Sequence, residues 1–218
     1  MTTNYKSVFD IIGPVMIGPS SSHTAGAVAI GQVARKVFQS TPREIVVHYF
    51  ESFAQTHRGH GTDYAIVSGV LGFSPADARV PQAVTIARQQ QIKVVFKEEK
   101  GKSPIGHPNT AVIQLKNAQK SIEIAGCSIG GGTIEIRRIK VGEFDIQPQG
   151  ALPVLLALDD DRTDQLLLEQ LEVLTGINYH HIYVADTGRQ LAEFDLNKRL
   201  KQDEVRALSS TVAELIYL

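Results

Sequence analysis

The sequence predicts an α+β protein with two domains, residues 1–145 and 151–218. Apolar residues recur at helical spacing in several segments and alternate with polar residues in others. The stretch VGEFDIQPQG at 141–150 breaks both patterns and indicates a linker. Beyond it, the order strand, helix, strand, strand, helix, strand is that of a ferredoxin-like βαββαβ module.

The first domain alternates between helices and strands. Apolar positions three and four residues apart predict a helix that starts near Thr24, is capped by Ser22 or Thr24, and ends near Ser40. A run of three glycines after Cys127 is expected to interrupt the last strand run. The other predicted elements are a strand at Glu44–Phe50, helices at 61–70 and 75–90, and strands at 92–96, 111–115, 122–125 and 133–136.

The second domain has a more compact pattern. Leucines on one side of 163–174 indicate an amphipathic helix, and an Asp-Thr-Gly turn separates two later strands. The predicted elements are a strand at 154–158, a helix at 163–174, strands at 177–184 and 190–196, and a helix at 203–215 with room for a short strand at its end.

Composition restricts the class of protein. Hydrophobic residues make up 43 % of the 218 residues, which is enough for a buried core. The formal net charge of -1 argues against a nucleic-acid partner. No apolar run approaches the roughly 20 residues that span a bilayer, and the first residues have no signal-peptide core. We expect a cytoplasmic protein that binds neither nucleic acid nor membrane.

The segment GPSSSHTAG, Gly18–Gly26, is the first candidate site. Three serines, His23 and Thr24 directly precede a predicted helix, where free backbone N–H groups and the helix dipole favour a carboxylate or phosphate. His23 is a candidate general acid or base because its ordinary pKa lies near neutrality. The alternative is an elaborate helix cap, since Ser and Thr favour that position.

The segment His57–Asp63 reads HRGHGTD and allows three interpretations. His57, His60 and Asp63 could bind a metal if the segment were helical. Gly59 and Gly61 argue against a regular helix, so we favour a glycine-rich loop that ends at a helix start near Thr62 or Asp63. Such a loop either faces a substrate or is purely structural.

Two shorter segments complete the candidate site. His107-Pro108-Asn109-Thr110 places an extended residue before proline, and Asn109 offers a donor and an acceptor to an amino acid. The alternative is a plain transition from loop to strand. Ser128–Gly132 suits a bulge or the close approach of a ligand, and no Lys-Ser/Thr follows it, so it is not a phosphate-binding P-loop.

The single cysteine, Cys127, excludes an intramolecular disulfide. It also excludes a zinc site of four thiolates and an iron–sulfur cluster held by three or four thiolates of this chain. Because Cys127 lies among apolar residues, we expect it to be a small buried hydrophobe.

Together these segments resemble the β-chain of iron–sulfur-dependent L-serine dehydratases. The resemblance rests on Ser7–Pro14 followed by GPSSSHTAG, on GHGTD, on HPNT and on SIGGG, and it covers roughly residues 5–140. It implies a partner α chain, rich in cysteine, that carries a [4Fe-4S] cluster. It also implies the conversion of L-serine to pyruvate and ammonia without pyridoxal phosphate. In that chemistry an open iron site activates the leaving hydroxyl and a base removes the α-proton.

The resemblance extends to the fold and to the residues of the site. Residues 1–140 also resemble the allosteric substrate-binding domain of some phosphoglycerate dehydrogenases, and residues 151–218 resemble an ACT domain. Gly176-Ile177-Asn178 fits the ACT pattern, whereas Asp159–Asp164 lacks its usual glycine. The implied catalytic residue is His23, and the implied substrate-binding residues are Ser20, Ser21, Ser22, Thr24, His60, Thr62, Asp63, His107, Asn109 and Gly131.

A different class of function remains open at this point. The chain could be a stand-alone module that binds an amino acid or a small anion and has no activity. A homodimer of the isolated chain is plausible under either reading, because both implied domains tend to pair in relatives.

Overall fold

The computed structural model describes residues 15–149, 151–159 and 163–218. The Ser7–Pro14 part of the resemblance therefore lies outside the described residues. Described residues up to Ile136 form one compact unit, and those from Arg137 onward form a second. Helices and two β-sheets give the mixed α+β class that the sequence predicts. The domain boundaries themselves remain a prediction.

The first unit combines a sheet with helices that follow its strands. Its elements are α1 (Gly26–Phe38), β1 (Glu44–Phe50), α2 (Glu51–Thr56), α3 (Thr62–Val70), a 3-10 turn (Val80–Gln82), α4 (Ala83–Gln89), β2 (Lys93–Glu98), β3 (Thr110–Lys116), β4 (Ser121–Gly130) and β5 (Thr133–Val141). A π-helical turn at Ser21–Ala25 leads into α1. The strands are neighbours in the order β2-β1-β3-β4-β5, with β1 parallel to β2 and antiparallel to β3.

Helices α1 and α3 pack against each other through glycine. A Cβ atom on Gly69 would lie 2.1 Å from the Val28 carbonyl oxygen, and one on Gly31 would lie 2.2 Å from the Ile66 carbonyl oxygen. Only glycine permits such close backbone approach. This contact places the first two turns of α1 against the C-terminal half of α3.

The second unit contains the predicted βαββαβ order. β6 (Phe144–Ile146) pairs with the end of β5. The remaining elements are β7 (Val154–Asp159), α5 (Thr163–Leu174), β8 (Ile177–Val184), β9 (Gln190–Leu196), α6 (Gln202–Ser209) and β10 (Glu214–Tyr217). The strand order is β10-β7-β9-β8, with antiparallel neighbours. Buried leucines of α5, together with Phe194 of β9, form the core.

Two helix predictions were too long. The helix predicted at 75–90 begins only at the Val80 turn, because the Asp77 carboxylate accepts the Arg79 N–H and holds a local turn instead. The helix predicted at 203–215 ends at Ser209, and β10 follows. The hydroxyl groups of Ser209 and Ser210 donate to carbonyl oxygens of the preceding turn at this end.

Two further expectations were wrong, and one helix was missed. β4 runs without interruption to Gly130, so the glycines form the turn into β5 rather than a break in a strand. Part of the predicted linker is the strand β6, since Gly142 has a φ of 56° and turns the chain back onto β5. Helix α2 was not predicted at all. None of the helices in the described part of the chain has both the length and the apolar character that a membrane span requires.

Candidate active site

The GPSSSHTAG segment forms the π-helical turn, and Ser20 caps it. The Ser20 hydroxyl oxygen accepts the backbone N–H of His23 at 3.3 Å and lies 3.2 Å from Nδ1 of the His23 ring. The backbone N–H of Thr24 donates to the Ser20 carbonyl at 2.7 Å. The predicted caps, Ser22 and Thr24, were therefore wrong: Thr24 is already inside the turn and fully buried. Ser21 and Ser22 lie in the turn and are half-buried.

The first two candidate segments meet at His23 and His60. Their ring centroids are 4.5 Å apart in an edge-to-face arrangement, and the His23 ring also packs 5.1 Å from the ring of Phe53. The Thr24 hydroxyl lies 3.5 Å from the carbonyl oxygen of His60. Phe53 was not predicted from the sequence, because it lies in helix α2, which was itself not predicted.

His57 holds the loop that carries His60. Its Nδ1 lies 2.6 Å from Asp63 Oδ1, its Nε2 lies 3.0 Å from Glu98 Oε1, and its ring stacks on Tyr49 at 4.5 Å. The backbone N–H of Thr62 donates to the His57 carbonyl, which closes the loop before α3. This agrees with the glycine-rich loop favoured from the sequence, with Gly61 at a φ of 70° directly before the helix.

The metal interpretation of this segment finds no support in the geometry. His57 and Asp63 bond to each other instead of facing a common point with His60. In residues 15–149, 151–159 and 163–218, no group of three or more His, Cys, Asp or Glu side chains is arranged to hold a metal ion.

The third and fourth segments close a ring of contacts around His23. Phe53 donates its backbone N–H to the Pro108 carbonyl at 3.3 Å. Asn109 and Ser128 are joined twice: the Ser128 N–H donates to the Asn109 carbonyl, and the Asn109 amide donates to the Ser128 carbonyl. Ser128 in turn packs against Gly26, where a Cβ atom would lie 2.4 Å from its hydroxyl oxygen.

His107 and Gly131 occupy more peripheral positions. The His107 Nδ1 accepts the backbone N–H of Asn109 at 3.1 Å, so this imidazole shapes the loop before β3. Gly131 is exposed in the turn between β4 and β5, with a φ of 61°. The structure thus brings His23, His60 and Asn109 into one ring of contacts. Gly131 lies outside this ring, three residues after Ser128 in the sequence.

Four buried polar atoms of the candidate segments lack a hydrogen-bond partner among the described residues. A buried polar atom without a partner is costly, so such a cluster is expected where a polar ligand binds. His23, His60 and Thr62 were predicted from the sequence; the Ser128 hydroxyl was not, although its position before the glycine run was a usable signal. The four atoms are His23 Nε2, His60 Nδ1, Thr62 Oγ1 and Ser128 Oγ.

The environment of His23 favours its neutral form. Burial lowers the pKa of His23 below its ordinary value of 6.5, and the neighbouring His60 lowers it further. A neutral imidazole near pH 7 can accept a proton, which a permanently charged one cannot.

Comparison with known proteins places the chain in a family. Residues 7–138 match the profile of the family described as "Serine dehydratase beta chain". The chain belongs to the serine dehydratase beta-chain family. The resemblance predicted from the four segments is therefore confirmed.

Relatives of this beta-chain family extend over most of the sequence. The chain is 44% identical over 182 residues to the "Probable L-serine dehydratase, beta chain" of Bacillus subtilis (strain 168), covering 83% of this chain and 81% of that protein. It is 34% identical over 183 residues to the "L-serine dehydratase, beta chain" of Peptoniphilus asaccharolyticus, covering 82% and 78%. The chain is also 41% identical over 75 residues to "L-serine dehydratase 2" of Escherichia coli (strain K12). This shorter match covers 32% of the chain and 16% of that protein.

Proposed function

We propose that this chain is the β subunit of an L-serine dehydratase and that it converts L-serine to pyruvate and ammonia together with a partner α chain. The observation that carries the proposal is that the region matched by the family holds four buried, unpartnered polar atoms, two of them on the adjoining rings of His23 and His60. L-Serine offers a carboxylate, an ammonium and a hydroxyl group, which can satisfy the ring nitrogens and hydroxyls of such a cluster.

His23 is the group that we propose for proton transfer. Its Nδ1 faces Ser20 Oγ, and a hydrogen bond donated from Nδ1 leaves the lone pair on Nε2 free to take the α-proton of serine. Loss of that proton and of the β-hydroxyl yields aminoacrylate and water, and hydrolysis of aminoacrylate yields pyruvate and ammonia. His60 packs against the His23 ring and helps to keep it neutral before the proton arrives.

The hydroxyl-bearing residues are proposed to bind the substrate carboxylate. Thr62 Oγ1 and Ser128 Oγ are buried and unpartnered among the described residues, so both can donate to an anion. Ser21 and Ser22 follow Ser20 in the π-helical turn and are proposed to complete the carboxylate-binding site. Thr24 is fully buried, and its contact with the His60 carbonyl suits it to hold the two segments together.

We propose that four further residues act at the margin of the same site: Asp63, His107, Asn109 and Gly131. The Asp63 carboxylate bonds to His57, which supports the loop that carries His60. Asn109 is held against β4, and His107 shapes the turn before it. Gly131 leaves room beside the end of β4 for a ligand or a partner backbone.

The [4Fe-4S] cluster implied by the family does not fit this chain. The one thiol, Cys127, is fully buried in β4, and a cluster needs three or four thiolates. We therefore assign the cluster to a cysteine-rich α chain, where it would supply Lewis-acid chemistry toward the substrate hydroxyl. This chain is proposed to bind and orient L-serine and to accept its α-proton.

We also propose that the second unit is an ACT-like regulatory domain and that the isolated chain forms a homodimer. The βαββαβ order and the antiparallel sheet β10-β7-β9-β8 support an ACT-like fold. Calorimetric titration of L-serine into the wild-type chain and into a Thr62→Val/Ser128→Ala variant, which lacks both proposed carboxylate donors, tests for a regulatory site. Heat that persists in the variant marks a second serine site, and loss of all heat contradicts serine binding by the second unit.

The catalytic role of His23 is tested in the reconstituted complex. The α chain and this chain are co-expressed, the cluster is assembled without oxygen, and pyruvate is measured. We expect His23→Asn to lower kcat by about 10²- to 10⁴-fold with little change in KM, since general acid–base catalysis contributes that much. His48→Asn is the matched control, because His48 pairs with Glu99 and lies outside the ring of contacts. Full turnover by the His23 variant would refute the assignment.

A further inference from the structure

A groove on the second unit has no role in the proposed reaction. It lies between α5 and α6 and has a volume of about 620 Å³. Leu166, Val173 and Leu174 of α5 line one side, and Ala207 and Leu208 of α6 line the other. A space of this size and apolar character accommodates several apolar side chains of a partner.

Helix α5 carries apolar residues on two faces. Leu167 and Leu171 are fully buried and belong to the core of the second unit. By contrast, Leu166, Val173 and Leu174 remain 47%, 88% and 42% exposed. A surface helix ordinarily needs only one apolar face, and a contiguous exposed apolar patch marks an interaction surface.

The charges of the groove select the kind of partner. Among its described lining residues, Glu169 and Glu204 are the charged ones, and both are acidic. A second copy of the chain, docked through the same surface about a twofold axis, would bring these carboxylates together. Like charges at an interface disfavour that pairing, whereas Lys or Arg side chains complement it.

We propose that the groove between α5 and α6 is the docking site for a basic amphipathic helix of another polypeptide. Apolar side chains on one face of that helix fill the space over Val173 and Leu174. Lys or Arg residues beside them pair with Glu169 and Glu204. Helices of this kind present anchors at i, i+3, i+4 and i+7, which match a groove between two helices.

The probe is a fluorescently labelled synthetic peptide of about 18 residues, long enough to form a helix, with leucine on one face and lysine on the other. A second peptide replaces every lysine by glutamate. Fluorescence anisotropy with the full-length chain is expected to show saturable binding of the lysine peptide, weakened by salt, and no binding of the glutamate peptide. No binding of the lysine peptide, or equal binding of both peptides, overturns the proposal.

Paired variants locate the binding. Val173→Lys removes an apolar contact and adds a repelling charge, and the exposed position should leave the fold unchanged. Val184→Lys is its control, since Val184 is 65% exposed on β8 and does not line the groove. We expect Val173→Lys to weaken binding by about tenfold, and Val184→Lys to leave it unchanged. Equal effects of the two variants place the peptide elsewhere and overturn the proposal.

The acidic rim is tested by a second pair on the same helix. Glu169→Lys reverses a charge in the groove, and Glu172→Lys makes the same change at an exposed residue outside it. The first is expected to weaken binding of the lysine peptide and to make the remaining binding less sensitive to added salt, while the second has little effect. A stronger effect of Glu172→Lys than of Glu169→Lys contradicts the proposed role of the rim.

Discussion

We predict that Glu193 makes the stability of the second unit depend on pH. This residue of β9 is fully buried, and its Oε2 accepts the hydroxyl hydrogen of Tyr183 at 2.7 Å. Burial raises the pKa of Glu193 from 4.5 to about 7, and the neighbouring Asp195 raises it further, while the Tyr183 hydrogen bond acts in the opposite direction. Glu193 is therefore largely protonated in the folded protein at mildly acidic pH.

The sign of the effect follows from proton linkage. Between the unfolded pKa of 4.5 and the folded pKa of about 7, the folded chain holds a proton that the unfolded chain has released. The free energy of unfolding consequently falls as the pH rises through that window. A separation of about 2.5 pKa units corresponds to at most about 3 kcal/mol.

The Glu193→Gln substitution tests this reasoning. Glutamine has the shape of the protonated side chain, can still accept from Tyr183, and carries no charge. Urea unfolding is followed at about pH 5 and about pH 8, with Glu172→Gln as an exposed control. We expect the Glu193→Gln variant to match wild type at the lower pH and to exceed it by up to about 3 kcal/mol at the higher. A difference that is the same at both pH values would refute the reasoning.

Three further predictions concern the first unit. Gly69→Ala forces a Cβ atom against the Val28 carbonyl and should lower the free energy of unfolding by about 1–3 kcal/mol. Gly59→Ala is the control and should be tolerated, because a Cβ atom there lies 3.8 Å from its nearest neighbour. Equal denaturation midpoints of the two variants would contradict this prediction. The kcat/KM of the reconstituted complex should fall only below pH 6.5, since the pKa of His23 is lowered; a fall that begins at higher pH argues against His23. Thr24→Val should cost about 1 kcal/mol in thermal unfolding, and no change would show that its hydrogen bond is dispensable.

The fold was most predictable where a single local rule decides the conformation. Alternation of buried and half-buried residues defines β1 over Glu44–Phe50 as predicted. Gly61 adopts a φ of 70° directly before α3, as expected of a glycine at the end of a loop. Helix α2 was missed because it has only six residues and begins at Glu51, which takes a left-handed φ of 44° that is unusual for glutamate.

Most residues of the candidate site were named from the sequence, but the hydrogen bonds between them were not. His23, His60 and Thr62 were recognisable from sequence because they stand in glycine-rich segments before helices. The partner of His57, Glu98, comes from β2, 41 residues farther along the chain, and no local pattern indicates it. The Ser128 hydroxyl reaches the site only because α1 packs on β4 at Gly26, which is a consequence of tertiary structure.

The most direct test of the proposed function is pyruvate formation from L-serine by the separated and recombined chains. The cluster is assembled on the partner α chain without oxygen, and each chain is assayed alone and in mixture. The proposed function predicts pyruvate only when both chains are present, because this chain has one buried cysteine and carries the imidazoles that we propose to face the substrate. Pyruvate formation by either chain alone at the rate of the mixture would contradict it.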